Sequence, residues 1–284
     1  MVSGSTLRHR IALAATVTLI AATALSYPIR AEEKPLWELG LGVGALAFRD
    51  YRGADTTHVY PVAVPYFIYR GKVLQADREG LKGKLFHQAR LEFNISVNAT
   101  TPVHDNAART GMPDLRPTIE LGPSLNVHVW RSADERVKFD VRMPVRAAFT
   151  IEGSPRAIGY FFTPNVNMDV KDVPGLPGWN LGLLTGPLFA TSRYNEYYYT
   201  VAPQYATADR PAYRASAGYA GSQVLASLSK RFPSYWMGAY VRYDTLAGAT
   251  FESSPLVKSR GYWSAGIGIA WLISHSSHIV EVPD

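Results

Sequence analysis

Residues 90–99 read Arg90-Leu-Glu-Phe-Asn-Ile-Ser-Val-Asn-Ala99, and every second residue of this stretch is apolar. Successive side chains of a β-strand point to opposite faces of a sheet. The alternation therefore predicts a strand with one apolar and one polar face. The same pattern recurs at Trp263-Ser-Ala-Gly-Ile-Gly-Ile-Ala-Trp271, where small residues take the place of the polar ones.

Alternation of this kind predicts eleven strands, at residues 36–48, 58–69, 72–85, 90–99, 117–130, 136–149, 157–170, 179–190, 219–231, 235–246 and 261–273. A bacterial barrel with both chain ends on one side of the membrane needs an even number. We therefore assign residues 197–204 as a twelfth strand. If the second and third strands are misread, the number is ten.

Strand length and aromatic placement separate a soluble sandwich from a membrane barrel. The predicted strands run about 10–14 residues, whereas strands of globular proteins are mostly about 5–6. Aromatic residues stand near the predicted strand ends, as in the girdles of membrane barrels, at Trp37, Phe48, Tyr66, Tyr69, Trp130, Phe149, Tyr160, Trp179, Phe189, Tyr262 and Trp271. We predict an all-β, antiparallel transmembrane barrel of the outer membrane, surrounded by outer-membrane lipid.

The N-terminal segment has the order of an export signal. Arg8 and Arg10 precede an apolar or small run at residues 11–25, and Pro28 ends that run before Ala31. Such an order is typical of a secretory signal peptide. The predicted organisation is a signal peptide at residues 1–31, a barrel at 32–273 and an unstructured C-terminal tail at 274–284.

Composition excludes several classes of function. The chain contains no cysteine, so it has no disulfide, thiol nucleophile or cysteine zinc site. Without residues 1–31 it carries 26 basic and 23 acidic side chains, a balance too even to indicate nucleic-acid binding.

Three candidate reactive residues, Glu120, Ser124 and His128, share one face of one predicted strand. Residues four apart on a strand lie about 13 Å apart, far beyond the ~3 Å that a nucleophile and its base require. His275 and His278 are three residues apart, but two ligands are too few for a metal site. We expect no enzyme activity, catalytic residue, cofactor or metal.

Charged residues on the inward faces have two interpretations. Lys138, Arg142 and Arg146 share one face with Asp140, and Arg90 shares a face with Glu92. They either pair across strands inside a narrow lumen or favour anionic solutes in an open pore.

Several stretches resemble the MipA/OmpV family, the MltA-interacting outer-membrane proteins. They are Tyr51-Arg-Gly-Ala-Asp55, Pro65-Tyr-Phe-Ile-Tyr-Arg-Gly71, Gly111-Met-Pro-Asp114 before Glu120-Leu-Gly-Pro-Ser124, Tyr205-Ala-Thr-Ala-Asp-Arg-Pro-Ala-Tyr213, and Ala265-Gly-Ile-Gly-Ile-Ala-Trp271. The resemblance implies an outer-membrane barrel that acts as a scaffold between a lytic transglycosylase and a penicillin-binding murein synthase. A narrow channel for small solutes is the alternative, since function varies within the family.

Overall fold

The structure, a computed structural model, describes residues 32–70, 74–77, 80–88 and 91–282, with side chains at 33–70 and 91–280. The predicted signal peptide lies outside these residues. The described chain forms one α-helix, α1 (Ser192–Tyr199), and fifteen strands: β1 (Glu32–Pro35), β2 (Trp37–Arg49), β3 (Thr57–Arg70), β4 (Leu74–Asp77), β5 (Gly80–Gln88), β6 (Leu91–Thr100), β7 (Thr118–Arg131), β8 (Val137–Thr150), β9 (Ala157–Phe162), β10 (Asn165–Val170), β11 (Trp179–Ala190), β12 (Gly218–Arg231), β13 (Tyr235–Thr245), β14 (Gly261–His275) and β15 (Ile279–Val282).

Thirteen of the strands, β2 to β14, form a closed antiparallel barrel. Apart from β9 and β10, consecutive strands pair with each other, and β14 pairs with β2. Strands β9 and β10 both pair with β8 and with β11. They therefore share one position in the wall, which has twelve positions in the described part of the chain. The predicted fold class, a barrel of about twelve strands, is confirmed.

Three predicted strands differ in detail. Residues 197–204 are not a strand, because α1 ends at Tyr199 and a 3-10 turn follows at Pro203–Tyr205. The predicted strand 72–85 is two strands, β4 and β5. The predicted strand 157–170 is divided at Pro164, which lacks the amide hydrogen that a continuous ladder needs. No helix in the described ranges is long and apolar enough to span a membrane.

The outward face of the barrel is apolar and exposed, as the alternation predicts. In β6, Leu91, Phe93, Ile95 and Val97 are all exposed, and in β14 Ile267 is 59% exposed. The residues between them point into the bore, where Glu120 of β7 is fully buried. Because large apolar side chains face outward and acids face inward, the polarity is that of a membrane barrel.

Not every predicted girdle residue faces outward. Trp271 and Tyr160 are half exposed on the outer surface, but Tyr66 and Tyr262 are buried in the bore. Tyr66 lies beside the exposed Phe67 on β3, so the alternation of that strand turns it inward. The prediction of an outward girdle position is therefore wrong for these two tyrosines.

Glycines allow β2 and β14 to approach closely. A Cβ atom on Gly42 would clash with the carbonyl oxygen of Ile269, and one on Gly44 would lie 3.0 Å from Cγ2 of Val64. Neighbouring backbone and the apolar side chains of β3 therefore occupy the space beside these inward glycines.

The barrel has one rim with long loops and one with short turns. The long-loop rim carries residues 50–56, 101–117, 151–156, 191–217 and 246–260. The short-turn rim carries residues 132–136, 171–178 and 232–234. Both described chain ends lie at the short-turn rim, where β1 pairs with β15. The prediction of an unstructured tail is therefore wrong, since residues 279–282 form a strand.

Candidate functional site

One sector of the bore, formed by β6, β7, β8 and β10, is lined by charged and amide side chains. Glu120 accepts hydrogen bonds from Arg146 Nε at 3.0 Å and Asn98 Nδ2 at 3.3 Å. Arg142 lies 3.4 Å from an oxygen of Asp169. Charges in this polar sector therefore pair across strands, as the first of the two interpretations predicts. Lys138 also has a partner, and Arg90 lies outside the described residues.

The three candidate reactive residues of β7 have separate partners. The Ser124 hydroxyl donates to Asn126 Oδ1 at 2.9 Å. His128 Nδ1 lies 2.8 Å from Asp140, and its Nε2 lies 3.4 Å from Glu92. Because the histidine contacts two acids and the serine contacts an amide, the geometry contains no serine–histidine nucleophile pair.

An apolar cluster, not predicted from the sequence, lies on the opposite side of the bore. Tyr66 and Ile68 of β3 pack with Ala270 of β14, and Trp236 and Leu272 pack against them. The Tyr66 and Trp236 rings are tilted, with centroids 6.5 Å apart. These side chains fill the space that the glycines of β2 and β14 leave uncovered. The bore thus carries a polar sector along β6, β7, β8 and β10 and an apolar cluster on the side of β3, β13 and β14.

An ion-pair network spans part of the bore at the short-turn end. Glu38 of β2 is only 4% exposed. Its Oε1 accepts from Arg70 of β3 at 3.1 Å, and its Oε2 accepts from Arg231 of β12 at 2.9 Å. Two strands, β13 and β14, stand between β12 and β2 in the wall. The Arg231 side chain therefore reaches over part of the lumen instead of joining adjacent strands.

The loop of residues 191–217, which we call the plug, closes the bore at the long-loop end. Tyr194 and Tyr198 of α1 are buried four residues apart, as are Asn195 and Tyr199. The Tyr194 hydroxyl donates to Glu120 at 2.7 Å, so the plug is joined directly to the polar sector. The Tyr199 hydroxyl donates to the carbonyl of Arg52 at 2.8 Å.

Packing against neighbouring loops reinforces the plug. The Tyr199 ring stacks on Phe251 at 3.7 Å between centroids, and the Tyr194 ring stacks on Phe161 at 4.8 Å. Tyr51, from residues 50–56, donates its hydroxyl to the Leu256 carbonyl at 2.8 Å. The largest buried apolar cluster of the described chain therefore lies at the mouth of the barrel.

Burial also fixes the protonation of the plug tyrosines. Removal from water raises the pKa of Tyr194 and Tyr199 well above the usual range for a phenol. The neighbouring Glu120 carboxylate raises that of Tyr194 further. Both hydroxyls therefore stay neutral and serve as hydrogen-bond donors at physiological pH.

The plug was not predicted from the sequence. Residues 197–199 belong to α1 instead of the predicted strand, and Phe251 stands in no motif of the sequence. The one indication of a helix is the spacing of four residues between Tyr194 and Tyr198 and between Asn195 and Tyr199, all of which are buried in α1. At the other rim, His275 and His278 are exposed. Among the residues whose side chains are described, no group of three possible metal ligands comes together.

Comparison with known proteins places this barrel among its relatives. A sequence model of the family described as MltA-interacting protein MipA matches residues 41–273. The chain belongs to the MipA family. It is 24% identical to the outer membrane protein OmpV of Vibrio cholerae serotype O1 over 92% of this chain and 98% of that protein. It is 25% identical to the outer membrane protein Omp26La of Vibrio anguillarum over 72% of this chain and 76% of that protein.

Among solved structures, a bacterial polysaccharide outer membrane secretin aligns with 84% of this chain and 99% of its own, with a TM-score of 0.40 and 8% identity. A structural similarity this low carries no argument about the function of the bore. The family and its named relatives place this MipA-family barrel in the bacterial outer membrane. The predicted family and location are confirmed.

Proposed function

We propose that this MipA-family barrel is a non-enzymatic scaffold that holds a lytic transglycosylase, and with it a penicillin-binding murein synthase, at the inner surface of the outer membrane. The observation that carries the proposal is the plug, which fills the bore at the long-loop end. At the short-turn end the ion pair of Glu38 and Arg231 spans part of the lumen. A bore obstructed in this way favours a function at the rims over the passage of solutes.

The orientation of the barrel supports a periplasmic role for the short-turn rim. Outer-membrane barrels have short periplasmic turns and longer extracellular loops. The short-turn rim also carries both described chain ends. We therefore assign this rim to the periplasm, where murein and its enzymes lie, and the plug to the cell exterior.

The β1–β15 sheet supplies a docking surface at that rim. It has two strands paired at Glu32–Val282 and Pro35–Ile279, and no third strand covers either edge in the described chain. Unpaired strand edges offer main-chain donors and acceptors to a partner. The family description names MltA as the partner of its namesake, and a lytic transglycosylase is accordingly the partner that we propose.

The test is capture of purified lytic transglycosylase and penicillin-binding protein by the folded barrel in detergent. We expect enrichment over an unrelated barrel, and loss of most of it when residues 279–284 are deleted. Arg193→Gln, on the exposed side of the plug, is the control and should bind fully. Equal capture by the unrelated barrel would refute the scaffold proposal. Full capture by the truncated chain would exclude the β1–β15 edge as the docking surface.

A narrow solute channel is the second candidate, and the polar sector favours it. Charged and amide side chains run from Asp169 and Arg142 to Glu120 and Arg146 along the bore. Such a column would conduct only if the plug moved out of the bore and the Glu38–Arg231 ion pair left room for the solute. Enzyme activity receives no such support, and we expect Ser124→Ala and His128→Gln to leave lipid and murein profiles unchanged.

A further inference from the structure

A groove on the long-loop rim has the features of a ligand site. It lies between residues 101–117, 151–156 and the plug and has a volume of about 560 Å³. Small-molecule sites commonly have volumes of about 300–1,000 Å³. Met112, Tyr197 and Tyr205 supply apolar and aromatic walls. A second cavity of about 320 Å³ adjoins it and shares Arg109, Met112 and Asp114.

Arg109 is the unusual residue of this groove. Its side chain is only 8% exposed, yet it lines both cavities. Its guanidinium donates to the backbone carbonyls of Tyr198 at 3.0 Å and Pro113 at 3.2 Å. Its Nε has no partner among the described residues. A buried cation normally has an anionic partner, because neutral carbonyls compensate its lost hydration only in part.

The carboxylates of the groove are already paired with other side chains. Glu152 is held by Arg156 at 2.8 Å, Glu196 by Arg214 at 3.0 Å, and Asp114 by His104 at 2.7 Å. None of them forms a salt bridge with Arg109.

A second guanidinium adds to the positive charge beside Arg109. Arg210 bonds to the carbonyls of Tyr205 and Ala108. Burial lowers the pKa of Arg109 most and the nearby Arg210 lowers it further, whereas two tyrosines and Asp114 act in the opposite direction. Two adjacent guanidiniums whose hydrogen-bond acceptors are all carbonyls create a local positive potential that an anion would neutralise.

We propose that this groove binds a small organic carboxylate from the cell exterior, with the carboxylate on Arg109 and an apolar or aromatic body against Tyr197 and Tyr205. A guanidinium fork matches a carboxylate in geometry and charge. The aromatic walls of the groove favour an organic anion over an inorganic one, because an inorganic anion has no apolar surface to place against them. This site is independent of the scaffold proposal, because it lies at the opposite rim.

Titration calorimetry of the folded barrel in detergent micelles, with empty micelles subtracted, tests the proposal. The probes are benzoate, its neutral analogue benzyl alcohol, and inorganic phosphate. We expect benzoate to bind with a dissociation constant of about 1 mM or tighter, and the other two at least ~10-fold more weakly. Equal affinity for benzyl alcohol or phosphate would overturn the proposal, as would the absence of benzoate binding.

Variants locate the bound probe. Arg109→Gln should weaken benzoate binding at least ~10-fold. Since Arg109 also holds Tyr198, that variant could loosen the plug. Tyr205→Ala, which removes a wall of the groove, should weaken binding several-fold without touching the guanidinium. Arg193→Gln removes the same charge from α1 outside the groove and should bind as the wild type does. Unchanged affinity in Tyr205→Ala, or equal loss in Arg193→Gln, would refute the assignment.

Discussion

Replacing Glu120 by glutamine removes the charge that joins the barrel wall to the plug. The wild-type carboxylate is fully buried and accepts from Arg146 at 3.0 Å and from Tyr194 at 2.7 Å. Glutamine keeps the size of the side chain. Arg146, which is only 9% exposed, then remains as a buried cation without its anion. The substitution therefore isolates the electrostatic part of the contact.

The expected loss follows from what Arg146 retains. Removing one partner of a buried ion pair costs about 3–5 kcal/mol. Arg146 keeps a hydrogen bond to the Ser96 hydroxyl at 3.0 Å and lies over the Phe161 ring at 5.7 Å. These contacts place the expected cost at the lower end of that range, about 3 kcal/mol. In equilibrium terms the unfolded fraction rises by about 100-fold.

The assay is denaturant unfolding of the barrel in phospholipid vesicles, followed by tryptophan fluorescence. The double variant Glu120→Gln/Arg146→Met should recover most of the stability, because no unpaired charge then remains. Glu196→Gln is the matched control, since Glu196 pairs with the 86%-exposed Arg214, and it should cost below about 1 kcal/mol. If Glu120→Gln costs no more than Glu196→Gln, the plug is not anchored electrostatically and the reasoning is wrong.

Three further outcomes test the closed bore and the faces of the barrel. The folded wild type should give no steady conductance in planar bilayers, and regular unitary currents would show that the plug does not seal the bore. Burial raises the pKa of Tyr194 and Tyr199 above the ordinary phenol value of 10.0, so their stabilisation of the plug is complete below about pH 10 and lost as pH rises through the raised values. Ultraviolet absorbance should detect these tyrosinates only when protease begins to cleave residues 191–217, and earlier titration would contradict their burial. Ile267→Arg, on the exposed outer face, should cost about 2–4 kcal/mol in lipid vesicles, and unchanged stability would place that face outside the membrane.

The faces of the strands were predictable because they depend on local period. In β6 the odd-numbered residues from Leu91 to Val97 are apolar and face outward, and the even-numbered residues from Glu92 to Asn98 are polar and face inward. A membrane barrel uses the same rule along its whole wall. The outer surface, the antiparallel class and the approximate strand number all follow from this period.

The plug was not predictable in the same way, because two periods compete within it. Tyr197, Tyr199 and Val201 alternate as a strand would, and aromatic residues favour strands. In the folded chain Tyr194, Tyr198 and Tyr199 are buried on one side of α1. Their partners come from distant loops, and tertiary packing overrides a local propensity that spans only a few residues.

The interior chemistry depends on register, which periodicity leaves undetermined. Arg146 reaches Glu120 because Glu120 lies opposite Ala148 in the β7–β8 ladder. A shift of two residues would keep every side chain on its present face and yet change every partner in the bore. The contact between Arg231 and Glu38 joins strands that are not neighbours. Local sequence therefore determines which residues enter the lumen, whereas the assembled barrel determines whether they pair, bridge it or leave it open.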